Sequence, residues 1–377
     1  MPGNSPNILY LTKRYYTGKD LISDQYGRHW EVPRYLLKSG YTINGFTFSY
    51  RVRNSGQLYS EKSGHSTLSW TSINLGYLVI PGIIRYLFAM FRHSFWNKPD
   101  IVLASSDAFH IILGYIVSRI LGRPYVADLY DNYESFWPTR IIGIHWLYRF
   151  SIRRAELVVC VSEPLAKYIT GLRGRDSGIA IIENGVDTIH FKSLDKHSCR
   201  NQLKLPNDAY IVGTAGSLYP NRGINTLFDA FIHLEKKGKK LVLALAGPLG
   251  SGISIPESSN IIYLGILPYD QVSEFLNALD LAVICNTENE FGKYCYPQKL
   301  TEILATKTPF VSANIGSIGA LASSTCADNL YEPNNFMDLA HKIEKNMPLP
   351  RQCDLPFHEW KDVAEKFNQE LRKLLGT

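Results

Sequence analysis

The stretch YIVGTAGSLYPNRGINTLFDAF, residues 210–231, runs from a short apolar segment through a glycine-containing turn into a helical pattern with Leu227, Phe228 and Phe231 at apolar positions. Such a strand–turn–helix unit is the building block of a parallel sheet covered by helices. Gly213 and Gly216 allow a tight turn and close approach of the main chain. Arg222 and the following helix N-terminus add positive potential suited to a phosphate. The plainer alternative is a structural turn that carries a surface arginine.

The same grammar repeats on both sides of this unit. Before it come NILYLT at Asn7, YTINGFTF at Tyr41, DIVLAS at Asp100, PYVADLY at Pro124 and LVVCVS at Leu157, with amphipathic stretches at 30–37 and 111–121. After it come LVLALAG at Leu241, IIYLG at Ile261, LDLAVIC at Leu279 and TPFVSA at Thr308, with helical patterns at 226–236, 269–279 and 297–305. At 377 residues the chain exceeds what one core usually supports. The expectation is an α/β protein with two Rossmann-like, doubly wound parallel-sheet domains, 1–188 and 189–354, and ligands in the cleft between them. Trp360, Val363, Phe367, Leu371 and Leu374 form one stripe, which predicts a C-terminal helix within 355–377 crossing back to the first domain and packing at the junction.

Composition excludes several classes. Hydrophobic residues at 45% and charged residues at 20% suit a chain folded throughout. The net charge of +6 is mild, and no basic-aromatic array accompanies it, so nucleic acid is not expected as a partner. Six cysteines without close paired spacing suit reduced thiols in a cytosol, and neither a structural zinc site nor any other metal site is expected. The first residues lack the pattern of a secretory signal. The most apolar run, YLVIPGIIRYLFAMF at 77–91, is interrupted by Pro81 and Arg85 and falls short of the roughly 20 residues a membrane span needs.

Further candidates lie just beyond strand ends. Gly247 and Gly265 follow two second-domain strands, where main-chain groups can grip a base. In DLYDNYESFWP, Asp128, Tyr130, Asp131 and Glu134 gather at the end of a first-domain strand. A carboxylate there can accept a proton or hold an acceptor hydroxyl, while the plain alternative is helix capping in a solvated acidic loop. Gly27 and Arg28 in DQYGRHWEVPRYLL can approach a phosphate, although the three spaced glycines of a dinucleotide site are absent. His29 reads as a satisfied helix histidine and His110 as a packing residue. In NEFGKYCYPQKLTEILA, residues 289–305, an irregular polar stretch meets Pro297 and then a helix bearing Glu302.

With Arg222, VCVSEPLAKYI, IIENGVDTIHFK, GSLYPNRGINTLFDAF and YPQKLTEILATKTPFV in hand, the sequence resembles the family 4 glycosyltransferases, which have the two-Rossmann GT-B fold. The resemblance implies a cofactor-free, metal-independent transferase that moves a sugar from a UDP- or GDP-sugar to a saccharide or lipid-linked acceptor, usually with retention. It implies acceptor binding by the first domain, through Gly27, Arg28, Asp128 and Glu134, and nucleotide-sugar binding by the second. Donor contacts are then expected from Gly216, Ser217, Arg222, Gly247 and Gly265. Glu290, Phe291, Gly292, Tyr294, Lys299, Leu300 and Glu302 complete them.

Glu302 matches the second glutamate of the family's pair, which accepts hydrogen bonds from the ribose hydroxyls. The first would stand at position 294, which is Tyr294. Glu288 or Glu290, or Tyr294 with the main chain of 291–293, then takes over reading the sugar. Lys299 adds a phosphate contact or is a helix-surface lysine. Tyr130 stands where many members carry a histidine. With retention, Tyr130 and Asp131 orient the acceptor; with inversion, Asp131 is the base. A catalytically silent scaffold and a nucleotide-sugar epimerase of similar architecture are the alternatives.

Ile83, Ile84, Leu87, Phe88 and Phe91, flanked by Arg85, Arg92, His93, Trp96 and Lys98, read either as an interfacial helix on anionic lipid or as a core helix. Residues 140–156 offer a second basic and aromatic segment. The resulting expectation is a cytoplasmic enzyme of surface-glycan synthesis, peripheral at the inner face of the membrane.

Overall fold

The computed structural model describes residues 5–16, 18–50, 54–77, 79–349 and 351–376. The chain divides into two compact units, one formed by residues 1–184 with 360–377 and the other by residues 185–359.

The first unit is built on an eight-stranded sheet in the order Ile179–Ile181, Leu157–Cys160, Tyr125–Leu129, Ile101–Ser105, Asn7–Lys13, Thr42–Ser49, Ser66–Asn74, Gly56–Ser63. All neighbours are parallel except the last pair. Ile101–Ser105, Tyr125–Leu129 and Leu157–Cys160 are buried at every position, as strands covered on both faces must be. The hairpin formed by the last two strands is an addition to the sequence reading. Its members, GQLYSEKS and STLSWTSIN, are rich in small polar residues, the first with no buried position and the second burying alternate residues, so they present no apolar run. The helix Trp360–Leu375 buries Trp360, Val363, Phe367 and Leu371 in this unit's core and packs on the helix Arg28–Lys38.

The second unit has a six-stranded, all-parallel sheet in the order Ile261–Tyr263, Leu241–Ala246, Tyr210–Ala215, Leu281–Ile284, Phe310–Ala313, Leu330–Tyr331. Strand order reverses at Tyr210–Ala215, which places a topological switch point between its C-terminal end and that of Leu281–Ile284. The helices Ile224–Lys236, Tyr269–Ala278 and Gln298–Thr306 lie close to their expected bounds.

The expectation of six reduced cysteines is corrected. Cys326 and Cys353 form a disulfide with Cα atoms 5.8 Å apart. Their separation of 27 residues hides the proximity in sequence. The side-chain amide of Asn329 donates to the carbonyls of both Phe310 and Arg351, tying the returning chain beside Cys326. The other four cysteines are buried thiols.

Candidate functional site

From the switch point of the second unit outward, Gly216, Gly247 and Gly265 follow the C-terminal ends of three adjacent strands. Gly216 has φ 112° and Gly247 has φ 127°, values that disfavour any side chain. The Gly216 amide donates to the Ala246 carbonyl at 2.9 Å, and the Gly247 amide donates to the Gly265 carbonyl at 2.7 Å. A Cβ on Gly247 would collide with the Gly216 carbonyl, and one on Gly216 would sit 3.7 Å from both Cε and Nζ of Lys299. The turn thus stays bare on the side where the Lys299 ammonium lies.

Lys299 is half-buried near the start of the helix Gln298–Thr306. Burial pushes its pKa below the ordinary 10.5, and the Arg222 charge adds to this, while Cys285 and Glu302 act in the opposite direction. An ammonium held at such a cost suits a site completed by an anion. Glu302 is buried at 8% exposure and lines a small void together with Lys299, Thr214 and Ala215.

Arg222 ends the 3-10 turn Pro220–Arg222, with its guanidinium carbon 3.3 Å from the centroid of the Phe291 ring. The loop is fastened by Thr287 Oγ1 and Asn289 Nδ2, which both donate to the Asn221 carbonyl, at 3.0 and 2.9 Å. Asn289 Oδ1 also accepts from the Gly292 amide at 2.8 Å and so caps the short helix Glu290–Tyr294. That helix replaces the irregular stretch expected there. Asn289 and Thr287 are positioning residues that sequence reasoning missed. The signal available was an Asn three residues before a glycine.

Several expected donor contacts change character. Leu300 is fully buried in the hydrophobic core, so its side chain is withdrawn from any ligand. Gly292 is buried, its amide is spent on Asn289, and a Cβ there would collide with the Thr287 carbonyl. Phe291 serves as the platform for Arg222. Glu290 lies at the surface, paired with Lys293 at 3.2 Å. Tyr294, half-buried, ends the short helix, and Ser217 follows the Gly216 turn half-buried.

In the first unit, the acceptor residues expected from sequence are largely structural. Arg28 and Asp128 form a buried ion pair at 2.9 Å, and Arg28 also donates to the carbonyls of Ile182 and Glu183. With both side chains about 3% exposed, neither is offered to a ligand. Gly27 is buried beneath the Tyr16 hydroxyl, so no open glycine loop precedes this helix. Burial opposes charge on Glu134, but hydrogen bonds from Arg149, Tyr168 and His145 hold its carboxyl below the usual range; it ties helices together.

Tyr130 remains half-buried at its strand end, its ring edge-on to His29, Tyr16 and Tyr133. Burial, reinforced by Asp131, pushes its hydroxyl well above the ordinary tyrosine range, so it stays protonated and can donate or accept a hydrogen bond. Asp131 is 6% exposed and accepts from the Asn132 amide at 2.7 Å. His29 has one satisfied nitrogen, with Nδ1 2.6 Å from the Tyr10 hydroxyl, while buried Nε2 has no partner among the described residues. Burial and then the Arg28 charge keep its pKa well below the ordinary value, hence neutral. His110 stacks on Phe48 and pairs with Asp107, as a packing residue does. Among the described residues no three His, Cys, Asp or Glu side chains gather as a metal site.

Known proteins resemble this chain in sequence and fold. The chain fits the family model described as Glycosyltransferase Family 4 over residues 31–190 and that described as Glycosyl transferases group 1 over residues 195–354. A D-inositol 3-phosphate glycosyltransferase 2 of Catenulispora acidiphila is 25% identical over 215 residues, which cover 52% of this chain and 49% of that protein. The chain spans about half the length of the first such relatives it matches. The capsular polysaccharide biosynthesis glycosyltransferase CapM of Staphylococcus aureus is 25% identical over 266 residues, 66% of this chain and 67% of that one. Among solved structures, sucrose-phosphate synthase of Thermosynechococcus elongatus has a TM-score of 0.77 at 14% identity, covering 98% of this chain and 99% of the other. Anabaena HepE in complex with UDP-glucose has a TM-score of 0.68 at 17% identity, covering 98% and 100%. These likenesses establish the fold as GT-B, and the two family models together make the chain a member of the family 4 glycosyltransferases.

Proposed function

We propose that the protein transfers a sugar from a nucleotide-diphosphate donor held by residues 185–359 to a saccharide or lipid-linked acceptor held by the first unit, in surface-polysaccharide synthesis. The observation that carries this reading is the bare Gly216 turn with the Lys299 ammonium over it, next to buried Glu302. The diphosphate lies against Gly216 and Ser217, neutralised by Lys299 and Arg222. Two positive groups oppose the charge that grows on the leaving phosphate as the C1–O bond breaks, which lowers the barrier. The Glu302 carboxylate accepts from both ribose hydroxyls. Gly247 and Gly265 lie beside the base, and Tyr294 with Glu290 reads the sugar.

As the acceptor oxygen bonds to C1 on the face the phosphate leaves, its proton passes to that phosphate, so no protein nucleophile is required and configuration is retained. Tyr130 and Asp131 orient the acceptor hydroxyl. HepE bound to UDP-glucose and the capsular enzyme CapM support a UDP-sugar donor and a surface-glycan product. We place the reaction at the cytoplasmic face of the membrane.

Tyr294 in place of a glutamate favours a second reading, a silent scaffold without transfer. A donor screen separates them: slow release of UDP or GDP from a nucleotide sugar supports the transferase, and release of an isomerised sugar supports an epimerase. Absence of both turnover and nucleotide-induced thermal stabilisation rejects the transferase reading.

A further inference from the structure

The helix Val79–Asn97 is apolar around most of its circumference yet buries only Gly82, Tyr86, Met90 and Ser94, a stripe at four-residue spacing. Gly82 brings the helix onto the Leu75 main chain. Much of the remainder faces outward: Ile84 is 60% exposed, Phe88 68% and Trp96 84%. A second set stands near and on the helix Ile144–Arg154, where Ile142 is fully exposed and Trp137 and Trp146 are exposed. Between them, the helix Ala108–Leu121 exposes Ile116 and Ile120. Single exposed apolar residues are ordinary, but sets on three elements are not.

These three helices share one face of the sheet. From Ser66–Asn74 to Ile101–Ser105, to Tyr125–Leu129 and to Leu157–Cys160 the chain moves in one direction across the sheet, and right-handed crossovers then put all three connecting helices on the same side. Contacts agree. Phe48 packs on Tyr86 of the first helix and stacks on His110 of the second, and Tyr115 of the second meets Phe150 of the third.

The charge carried by these three helices themselves has one sign, although Glu134, Glu156 and Glu163 stand beside them, each paired with a basic side chain. None of the three helices contains an Asp or Glu, in a chain that has 34 of them, while between them they carry six arginines. Arg119 and Arg149 are neutralised by Glu156 and Glu134. Arg85, Arg92, Arg153 and Arg154 have no carboxylate partner among the described residues. No described helix is long and apolar enough to cross a membrane. Exposed aromatic and aliphatic side chains set among uncompensated arginines match the interface of an anionic bilayer, where apolar groups enter the acyl boundary and guanidinium groups meet phosphates.

We infer that this three-helix face of the first unit docks flat on an anionic phospholipid surface. The inference stands apart from the donor chemistry, because none of these residues belongs to the proposed nucleotide site.

The test is flotation of the full chain with phosphatidylcholine vesicles, alone or with about one-third phosphatidylglycerol, at low and high salt. The expected result is co-flotation with the anionic vesicles only, weakened by salt. The triple variant I84S/F88S/W96S should stay behind with an unchanged thermal midpoint, since these side chains support no core. The pair R92Q/R154Q, on two different helices, should lower vesicle affinity by roughly five-fold per charge removed. No flotation with anionic vesicles at low salt overturns the inference, as does equal flotation of both variants. Vesicle-independent dimerisation abolished by the triple variant would assign the face to a second copy and overturn it as well.

Discussion

Replacing Lys299 by Met separates a ligand-binding ammonium from a structural one. In the unliganded protein, burial depresses the Lys299 pKa, so its charge is a net cost to the fold. Below the depressed folded-state pKa this cost is complete and constant; it is relieved as pH climbs toward 10.5, where the unfolded chain also loses the proton. Lys299→Met, with a stem of similar length, should therefore leave the unliganded thermal midpoint unchanged or raised at neutral pH. Nucleotide binding should respond in the opposite direction. Lys299 Nζ lies 3.7 Å from where a Gly216 Cβ would stand, within reach of a phosphate on that turn. A charge-assisted hydrogen bond of about 1.5–3 kcal/mol corresponds to a roughly 10- to 150-fold weaker UDP or GDP affinity by titration calorimetry. In the native protein affinity should also fall at alkaline pH, as Lys299 loses its proton, and Lys299→Arg should remove that fall. A variant that loses fold stability but keeps full nucleotide affinity would refute the reasoning and make Lys299 a structural residue.

Other expectations follow from the same geometry. Glu302→Ala should leave the fold intact and weaken nucleoside diphosphate binding by about 1.5–3 kcal/mol, with a smaller loss for the 2′,3′-dideoxy analogue, measured calorimetrically. Asp128→Asn, which breaks the buried pair with Arg28, should cost about 3–5 kcal/mol in denaturant unfolding; a raised acceptor KM with unchanged stability would restore these residues to the acceptor site. Reducing the Cys326–Cys353 bond, which spans 27 residues, should cost about 3.5 kcal/mol on the loop-entropy account, read as a lower unfolding midpoint in reductant.

How far the sequence carries the reading differs between the two units. In the second, strand runs such as LVLALAG and the periodicity of 226–236 and 297–305 correspond to elements found there, because fully buried parallel strands and amphipathic helices leave strong local patterns. The glycines at 216, 247 and 265 were visible for the same reason, since strand ends are predictable once strands are. The hairpin Gly56–Ser63 with Ser66–Asn74 was not visible, because a solvated edge strand and a neighbour that alternates small polar with apolar residues need no continuous apolar run. Among the acids of DLYDNYESFWP, spacing suggested a shared chemical task. The tertiary structure instead gives Asp128 to Arg28 and Glu134 to Arg149, His145 and Tyr168.

By itself the sequence determined the class of fold, the succession of its buried parallel strands and most of its amphipathic helices along the chain, and the family. All of these rest on local periodicity and on motifs contiguous in the chain. The tertiary structure decided which polar residues spend their charge on one another, as Arg28 and Asp128 do across 100 positions, and which are left facing a turn, as Lys299 faces Gly216. It also decided that Cys326 meets Cys353 and that three acid-free helices share one face. Each of these depends on contacts between residues distant in sequence, and no local pattern records them.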